Sequence, residues 1–199
     1  MLVAREPPIA PSRPGRLEMY CYTIGHANHR WNLFVGLLKK NGIHLLLDIR
    51  PEPDRSPRRF HANHLSWLLP THGIRYRWEG EALGGRPADS SLPVAGGSDR
   101  RAVMHADLRY REGLLGLLQE LRNSPDPVCL LGGSEDPAAC HRHWLIGNDL
   151  LSMGVEVLHI RKPRNKPDRV LKFVPPARAR GTRLPDSRGS GAALINHVD

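Results

Sequence analysis

Apolar residues along this chain fall into short runs separated by segments with helical spacing. Five apolar runs predict strands at 20–24, 44–49, 74–78, 128–131 and 156–160. Leucines and aromatic residues three or four positions apart predict helices between most of these runs. The alternation predicts an α/β fold, a single three-layer domain with a mostly parallel sheet of about five strands and helices on both faces.

Capping and stop residues set the expected bounds of the helices. The first helix is predicted to begin at a cap on Asn28, and the others are predicted over 63–72, 107–122 and 137–153. Residues 79–101 contain two glycine pairs and two prolines. That much punctuation predicts a long loop or lid.

Length and charge divide the chain into three parts. The 199 residues, 40% of them hydrophobic, suffice for one domain, which the predicted elements place at 19–160. A flexible N-terminal arm at 1–18 precedes it, and a C-terminal tail at 161–199 follows. The formal net charge of +9 comes almost entirely from the tail, which holds ten basic and three acidic residues against 16 and 15 in the domain. Because the tail is also rich in proline and glycine, we expect it to be largely disordered.

The cysteine count and the hydropathy pattern bound the cellular setting. Cys21, Cys129 and Cys140 lack the spacing of a disulfide framework, so we expect free thiols and a cytoplasmic protein. No segment has the apolar core of a signal peptide or the roughly 20 apolar residues of a membrane span, so no membrane partner is expected. The oligomeric state is left open.

Common cofactor motifs are missing from the sequence. No G-x-G-x-x-G or G-K-[ST] follows a predicted strand, so no nucleotide cofactor is expected. The cluster of Cys140, His141 and His143 lacks C-x-x-C or H-E-x-x-H spacing, which disfavours a structural zinc, and we predict no metal ligands. A catalytic metal between Cys140 and a distant histidine stays an open alternative.

The stretch 128–142, VCLLGGSEDPAACHR, contains the clearest chemical signal. An apolar strand leads through a glycine-containing loop to Cys140, His141 and Arg142 near the start of a helix. The helix dipole and the two neighbouring basic residues would lower the pKa of the Cys140 thiol below its usual value of about 8.5. Cys140 is therefore a candidate nucleophile, with burial as a small packing residue as the alternative.

Further polar residues follow the other predicted strands. Ligands of open α/β sheets bind where the carboxyl ends of the strands meet, so we expect these residues at one edge. The catalytic candidates are Cys140, His141, His26 and Asp48; the candidates for binding a substrate anion are Arg142, Arg50, Arg86, Gly84, Gly85 and Ser134; and Arg55, Arg58 and Arg59 form a basic loop after the second strand. Ion pairs inside the protein, between Asp48 and Arg50 or from Arg142 to Asp48 or Glu135, are the alternative for the charged members.

Four motifs in order, TIGHANH, LLLDIRPEP, ALGGRP and SEDPAACHRHWLIGNDLLSMGVEVLHI, give the chain a family resemblance. It resembles the domain-of-unknown-function 488 family over about 22–160. The resemblance implies an α/β fold, implies no established activity, and implies as functional candidates His26, Asp48, Arg50, Gly84, Gly85, Arg86, Cys140, His141 and Arg142. The chain departs from the family where the loop usually reads cysteine-x-glutamate before aspartate-proline, because Gly132 and Ser134 occupy those positions.

These features leave three hypotheses about function. The first is an enzyme that acts on an anionic substrate, such as a nucleotide, nucleic acid or phosphorylated molecule, at the site around Cys140, His141 and Arg142. The second is a binding protein associated with nucleic acid through the arginine loop and the basic tail. The third is a non-catalytic ligand-binding or interaction domain, which the glycine at 132 and the serine at 134 favour.

Overall fold

A computed structural model describes residues 19–27, 29–87, 98–162 and 169–172 of the chain. The strands are β1 (Tyr20–Gly25), β2 (Leu45–Asp48), β3 (Arg75–Trp78), β4 (Val128–Gly132), β5 (Glu156–Arg161) and β6 (Arg169–Lys172). They form one sheet in the order β3-β2-β4-β1-β5-β6. All neighbouring pairs are parallel except β5 and β6, which are antiparallel. The predicted α/β fold is confirmed, and each of the five predicted strands lies within one residue of its expected bounds.

Helices cover both faces of the sheet. They are α1 (Trp31–Lys40), α2 (Ala62–Leu68), α3 (Gly80–Leu83), α4 (Ser98–Ala106), α5 (Leu108–Asn123), α6 (His141–Trp144) and α7 (Ile146–Ser152), with short 3-10 turns at Pro53–Arg55, Arg58–Phe60, Pro70–His72 and Pro137–Ala139. Leu46 of β2 packs in the apolar cluster that holds the buried residues of α1 and α2. Leu45 and Leu47 pack in a second cluster with those of α5 and α7. Successive side chains of β2 therefore point to opposite faces of the sheet. Because helices pack on each face, the domain has three layers.

The predicted loop at 79–101 is partly wrong. It contains α3 and the start of α4, and the residues between 88 and 97 lie outside the described part of the chain. Leu83 and Met104 are both 1% exposed, so each helix is fixed by one core side chain. A four-residue helix that begins at Gly80 is too short to show a periodic pattern, and its glycines indicated a turn instead.

The predicted fourth helix is broken in two places. Asp136 does act as an N-cap, but its carboxylate accepts from Ala138 N at 3.2 Å and caps the 3-10 turn Pro137–Ala139. Cys140 is then extended, with φ −136° and ψ 144°, and Leu145 interrupts the helix again. Residues two apart on a continuous helix point about 200° away from each other. The break lets the side chains of Cys140 and Arg142 both reach Gly132, where a Cβ would lie 2.8 Å from Sγ and 3.0 Å from Nη1.

The ends of the chain hold two further differences. β6 lies within the segment predicted to be a largely disordered tail, where it extends the sheet beyond β5. Residues 163–168 and 173–199 of the tail, the arm at 1–18 and Asn28 lie outside the described residues. α1 begins after Arg30, which makes no side-chain cap hydrogen bond.

Candidate functional site

An open cavity of about 450 Å³ lies at the carboxyl edge of the sheet. Residues that follow β2 and β4 line it, together with residues from around α3, α4 and α6. Its charged and chemically reactive lining comprises Arg50, Glu52, Arg55, Ser56, Arg86, Arg100, Cys140 and His141. Even when Asp48, which pairs with Arg50, is counted with Glu52, four guanidinium groups stand against two carboxylates, so the cavity has an excess of positive charge.

Cys140 and His141 form a thiol–imidazole pair on the cavity wall. Cys140 Sγ lies 3.8 Å from His141 Nδ1, and His141 Nε2 lies 2.9 Å from the carbonyl oxygen of Ile49. A carbonyl oxygen only accepts, so the proton of the neutral imidazole is on Nε2 and the lone pair on Nδ1 faces the thiol. This is the orientation in which a histidine can take a proton from a cysteine.

The surroundings of Cys140 favour its thiolate. Burial acts to raise the pKa of Cys140, but the hydrogen bond and charge of His141, and then the charge and backbone N–H of Arg142, lower it to about 6. At Cys21 and Cys129 burial has the larger effect, and at Cys129 it outweighs the opposing charge of Arg142. Burial raises the pKa of Cys21 to about 12 and raises that of Cys129 as well. Of the three free thiols, Cys140 is the one whose pKa is lowered.

Arg142 holds the loop that follows β4. It is 0% exposed, and its Nη1 and Nη2 donate to the backbone carbonyls of Ser134 and Glu135 at 2.6 and 2.9 Å. The carboxylate of Glu135 pairs with Arg161 at 2.7 Å instead, so the anticipated ion pair with Arg142 is not formed. With its terminal donors engaged, Arg142 shapes the loop and contributes charge near Cys140. Its predicted contact with a substrate anion stays a prediction.

Asp48 and Arg50 form a buried ion pair at the end of β2. Arg50 Nε donates to Asp48 Oδ1 at 2.7 Å, and Arg50 Nη2 donates to Asp48 Oδ2. Tyr76 on β3 also donates to Oδ2, at 2.8 Å. The alternative of an internal pair is therefore what the structure shows. It leaves Arg50 Nη1 directed at Ser56 Oγ, 2.8 Å away, on the cavity wall.

His26 contacts Ser56. Its Nε2 lies 3.1 Å from Ser56 Oγ, and its Nδ1 lies 2.5 Å from the carbonyl oxygen of Ala27. Burial and the charge of Arg50 lower the pKa of His26 to about 4, so the ring is neutral near pH 7.

The glycines of ALGGRP allow close packing behind the cavity. At Gly84 a Cβ would stand 2.2 Å from the carbonyl oxygen of Gly80, and at Gly85 it would stand 2.9 Å from His141. Gly85 also has φ +67°, a conformation that residues with a Cβ rarely adopt. Both glycines thus act on the shape of the site through their lack of a side chain.

Arg86 and Ser134 complete the predicted anion-binding set. Both line the cavity, where Arg86 pairs with Glu52 at 3.0 Å. Arg55 of the basic loop also lines it and is mostly exposed, whereas Arg59 donates to the backbone carbonyl of His29. The cavity thus brings Cys140, His141, Arg50, Arg86 and Ser134 together.

Sequence reasoning missed three charged or polar cavity residues, Glu52, Ser56 and Arg100. Ser56 lies inside the basic loop, where nothing in the local pattern separates it from an ordinary loop serine. Arg100 lies in the segment predicted as a loop, and it donates to the Gly85 carbonyl at 2.9 Å with its guanidinium 5.2 Å from the Trp144 ring centroid. Nothing in the local sequence pattern indicated that a helix, α4, begins at Ser98.

The fold and site define an α/β protein whose polar side chains gather at the carboxyl edge of a parallel sheet, around a thiol–imidazole pair. The chain belongs to the DUF488 family, a domain of unknown function, whose match covers residues 30–148. The resemblance stated from the motifs is therefore confirmed. Comparisons with curated proteins and with solved structures found no match.

Within the described residues, no three or more histidine, cysteine or acidic side chains are grouped so that they could hold a metal ion. None of the helices in the same part of the chain has the length and hydropathy needed to cross a membrane.

Proposed function

We propose that this protein is an enzyme that uses the Cys140 thiolate to attack a small anionic substrate in the arginine-lined cavity. The observation that carries the proposal is the approach of Cys140 Sγ to His141 Nδ1, 3.8 Å apart on the cavity wall. A nucleophilic thiol needs a base within reach and an environment that favours its anion, and this pair meets both needs.

The reaction begins with transfer of the thiol proton to His141 Nδ1. Cys140 Sγ then forms a bond to an electrophilic centre of the substrate, while the bond from that centre to the leaving group breaks. The imidazolium returns the proton to the leaving group. Water or a second substrate then releases the product and restores the thiol.

The charge of the lining supports an anionic substrate. Arg55 and Arg86 both pair with Glu52, whose single carboxylate offsets only one of these two charges. A guanidinium has five donor hydrogens, so each arginine keeps donors for a phosphate or carboxylate. The exposed side chains of Arg55 and Arg86 stand at the cavity mouth, where they would attract such an anion.

Other predicted site residues have supporting roles in this scheme. Asp48 orients Arg50, Arg142 fixes the carbonyls of Ser134 and Glu135, and Gly85 leaves room for the His141 ring. The predicted acid–base role of His26 applies to the side chain that it contacts, Ser56.

Alkylation of the native protein with iodoacetate and with iodoacetamide tests the proposal. The two reagents attack the same thiol but differ in charge. We expect Cys140 to favour iodoacetate several-fold more in the native protein than in the denatured chain. Arg86→Gln should lower the iodoacetate rate and leave the iodoacetamide rate nearly unchanged. Arg111→Gln, which removes the same charge from an exposed position on α5, is the matched control.

Two outcomes of this experiment would count against the enzyme. A reagent preference that is the same in native and denatured protein would show that the cavity does not recruit anions. If Cys140 stays unmodified until the protein unfolds, it is a buried packing residue and not a nucleophile. Inorganic phosphate, if it occupies the cavity, should slow the native reaction with iodoacetate.

The hypothesis of a nucleic-acid-associated binding protein rests on the charge of the arginine loop and of the tail at 161–199. It makes a different prediction, because Cys140→Ala should then leave binding intact while removal of 173–199 flattens its salt dependence.

A further inference from the structure

A second pair of nucleophile and imidazole faces the same cavity. Ser56 follows the 3-10 turn Pro53–Arg55, and its Oγ lies 3.1 Å from Nε2 of His26. Ser56 lines the cavity and is partly exposed, whereas His26 is 7% exposed. The hydroxyl is therefore open to a bound molecule, while the imidazole stands behind it.

The hydrogen-bond partners fix where the protons are. His26 Nδ1 faces the carbonyl oxygen of Ala27, which only accepts, so the neutral ring carries its proton on Nδ1. Its Nε2 is then an acceptor. Because Arg50 Nη1 is a donor to Ser56 Oγ, the hydroxyl proton of Ser56 is directed to His26 Nε2. This is the arrangement of a serine with its general base.

Arg50 adds a fixed positive charge beside the serine oxygen. Its Nη1 lies 2.8 Å from Ser56 Oγ, and its other nitrogens are held by Asp48 and by the carbonyl of Phe60. Negative charge that develops on Oγ as the proton leaves would thus be stabilised by a donor already in place.

Ring stacking and backbone hydrogen bonds hold the segment that carries His26. The His26 ring stacks on Phe60 at 4.8 Å between centroids, and the backbone N–H of His26 donates to Gly132 at 3.1 Å. Ala27 has φ +42°, in the left-handed region that an alanine rarely adopts, and its N–H donates to Gly133 at 2.9 Å. Backbone strain of this kind concentrates at functional sites.

We propose that Ser56 is a second nucleophile of the cavity, activated by His26, and that it takes the phosphoryl group of an anionic phosphate ester. Ser56 Oγ forms a bond to phosphorus, and the bond from phosphorus to the leaving oxygen breaks. The hydroxyl proton passes to His26 Nε2 and then to the departing alkoxide. The inference rests on the anion-binding part of the proposed function and is independent of chemistry at Cys140.

Labelling with an alkyl fluorophosphonate tests this proposal. The probe forms a bond from Ser56 Oγ to phosphorus and releases fluoride, while the proton passes through His26 to water. Peptide mass spectrometry of the wild-type protein and of Cys140→Ala would locate the label. We expect Ser56 to react at least tenfold faster than Ser66 in both proteins. Ser66 is an exposed serine on α2 that donates to the Asn63 carbonyl and serves as the internal control.

A variant and a pH profile separate a catalytic role from a structural one. His26→Asn should lower the labelling of Ser56 at least tenfold, whereas Ser66→Ala should not change it. In the wild-type protein, labelling of Ser56 should rise as the pH passes about 4, which is the pKa of His26. Burial, the charge of Arg50 and, last, His29 lower this pKa, while the Ala27 carbonyl and Asp48 oppose the shift. This profile does not depend on whether a variant folds.

The possible outcomes are distinct. Equal labelling of Ser56 and Ser66, or no label on Ser56, overturns the assignment of Ser56. If iodoacetate still modifies Cys140 in the same preparation, the proposed function stands while this inference fails. If Ser56 is labelled in a protein whose Cys140 does not react with iodoacetate, Ser56 is supported as a nucleophile and the proposed enzyme that uses the Cys140 thiolate is contradicted.

Discussion

Gly85 lies directly against the imidazole ring of His141. A Cβ at Gly85 would stand 2.9 Å from both Cβ and Cγ of His141 and 3.2 Å from its Cδ2. The same ring contacts Cys140 Sγ through Nδ1 and the Ile49 carbonyl through Nε2. The glycine therefore allows the ring to occupy the position from which it favours the thiolate.

Gly85→Ala should weaken the fold and raise the pKa of Cys140 together. The positive φ of +67° costs an alanine about 1 to 2 kcal/mol, and the new methyl group displaces the His141 ring. Gly73→Ala is the matched control, because Gly73 has φ +77° and no atom within 4 Å of its Cβ position. It should lose similar stability and keep the pKa of Cys140. Urea unfolding and the pH dependence of alkylation measure the two effects.

His141→Asn should slow alkylation of Cys140 at neutral pH. The wild-type rate should reach half its maximum near pH 6, the value to which the pKa of Cys140 is lowered against the effect of burial. Without the imidazole we expect an apparent pKa about 2 units higher, which reduces the thiolate fraction at pH 7 by about tenfold. His44→Asn, an exposed position before β2, should leave the profile unchanged. If the alkylation rate of His141→Asn still reaches half its maximum near pH 6, the lowered pKa of Cys140 is due to Arg142 and not to His141.

The sheet could be predicted from the sequence because its strands are short apolar runs. In β2 three consecutive leucines, and in β4 Val128 to Leu131, are almost fully buried from both sides, as expected of central parallel strands. α5 was equally clear, since Asp107 caps it and accepts from Arg109 N at 2.9 Å. These signals come from residues that are close together in the sequence, so they can be recognised without knowledge of the tertiary structure.

The site was predictable only where its parts are neighbours in sequence. The lowered pKa of Cys140 has the expected direction, but the helix was expected to be continuous, and the thiol instead lies in an extended residue beside His141. The contact of Ser56 with His26 joins residues 30 positions apart, and the support of His141 by Ile49 joins residues 92 apart. Such contacts depend on how strands are ordered in the sheet, which the local pattern does not encode.

Asp48→Asn should destabilise the protein strongly. Asp48 is 0% exposed and Arg50 is 4% exposed, so the substitution leaves a buried guanidinium without its carboxylate. We expect a loss of about 3 to 5 kcal/mol in the free energy of unfolding. Glu79→Gln is the control, because its pair with Arg77 is partly exposed and should contribute less than about 1 kcal/mol. If urea unfolding shows that Asp48→Asn also loses less than about 1 kcal/mol, the buried pair contributes no more than the exposed one and the prediction is wrong.

A pair of histidines, His159 buried and His143 half-buried, should make the fold sensitive to acid. His159 on β5 is 3% exposed, its Nδ1 lies 2.6 Å from Thr23 Oγ1, and its Nε2 lies 3.1 Å from His143 Nδ1. Burial, followed by the charge of Arg142 and of other nearby groups, lowers the pKa of His159 to about 3. In the unfolded chain the same residue takes up its proton at an ordinary pKa of about 6.5.

The sign of the effect follows from which state binds the proton first. As the pH falls below about 6.5, the unfolded chain is protonated at His159 while the folded protein is not, so folding loses stability until the pH reaches about 3. At pH 4.5 the loss from this residue should be about 2 to 3 kcal/mol. His159→Gln should remove that part of the pH dependence, and His44→Gln, at an exposed site, should not. If wild-type protein and His159→Gln lose stability in parallel between pH 7 and 4.5, the histidine is protonated in the folded state and this account of the pair is wrong.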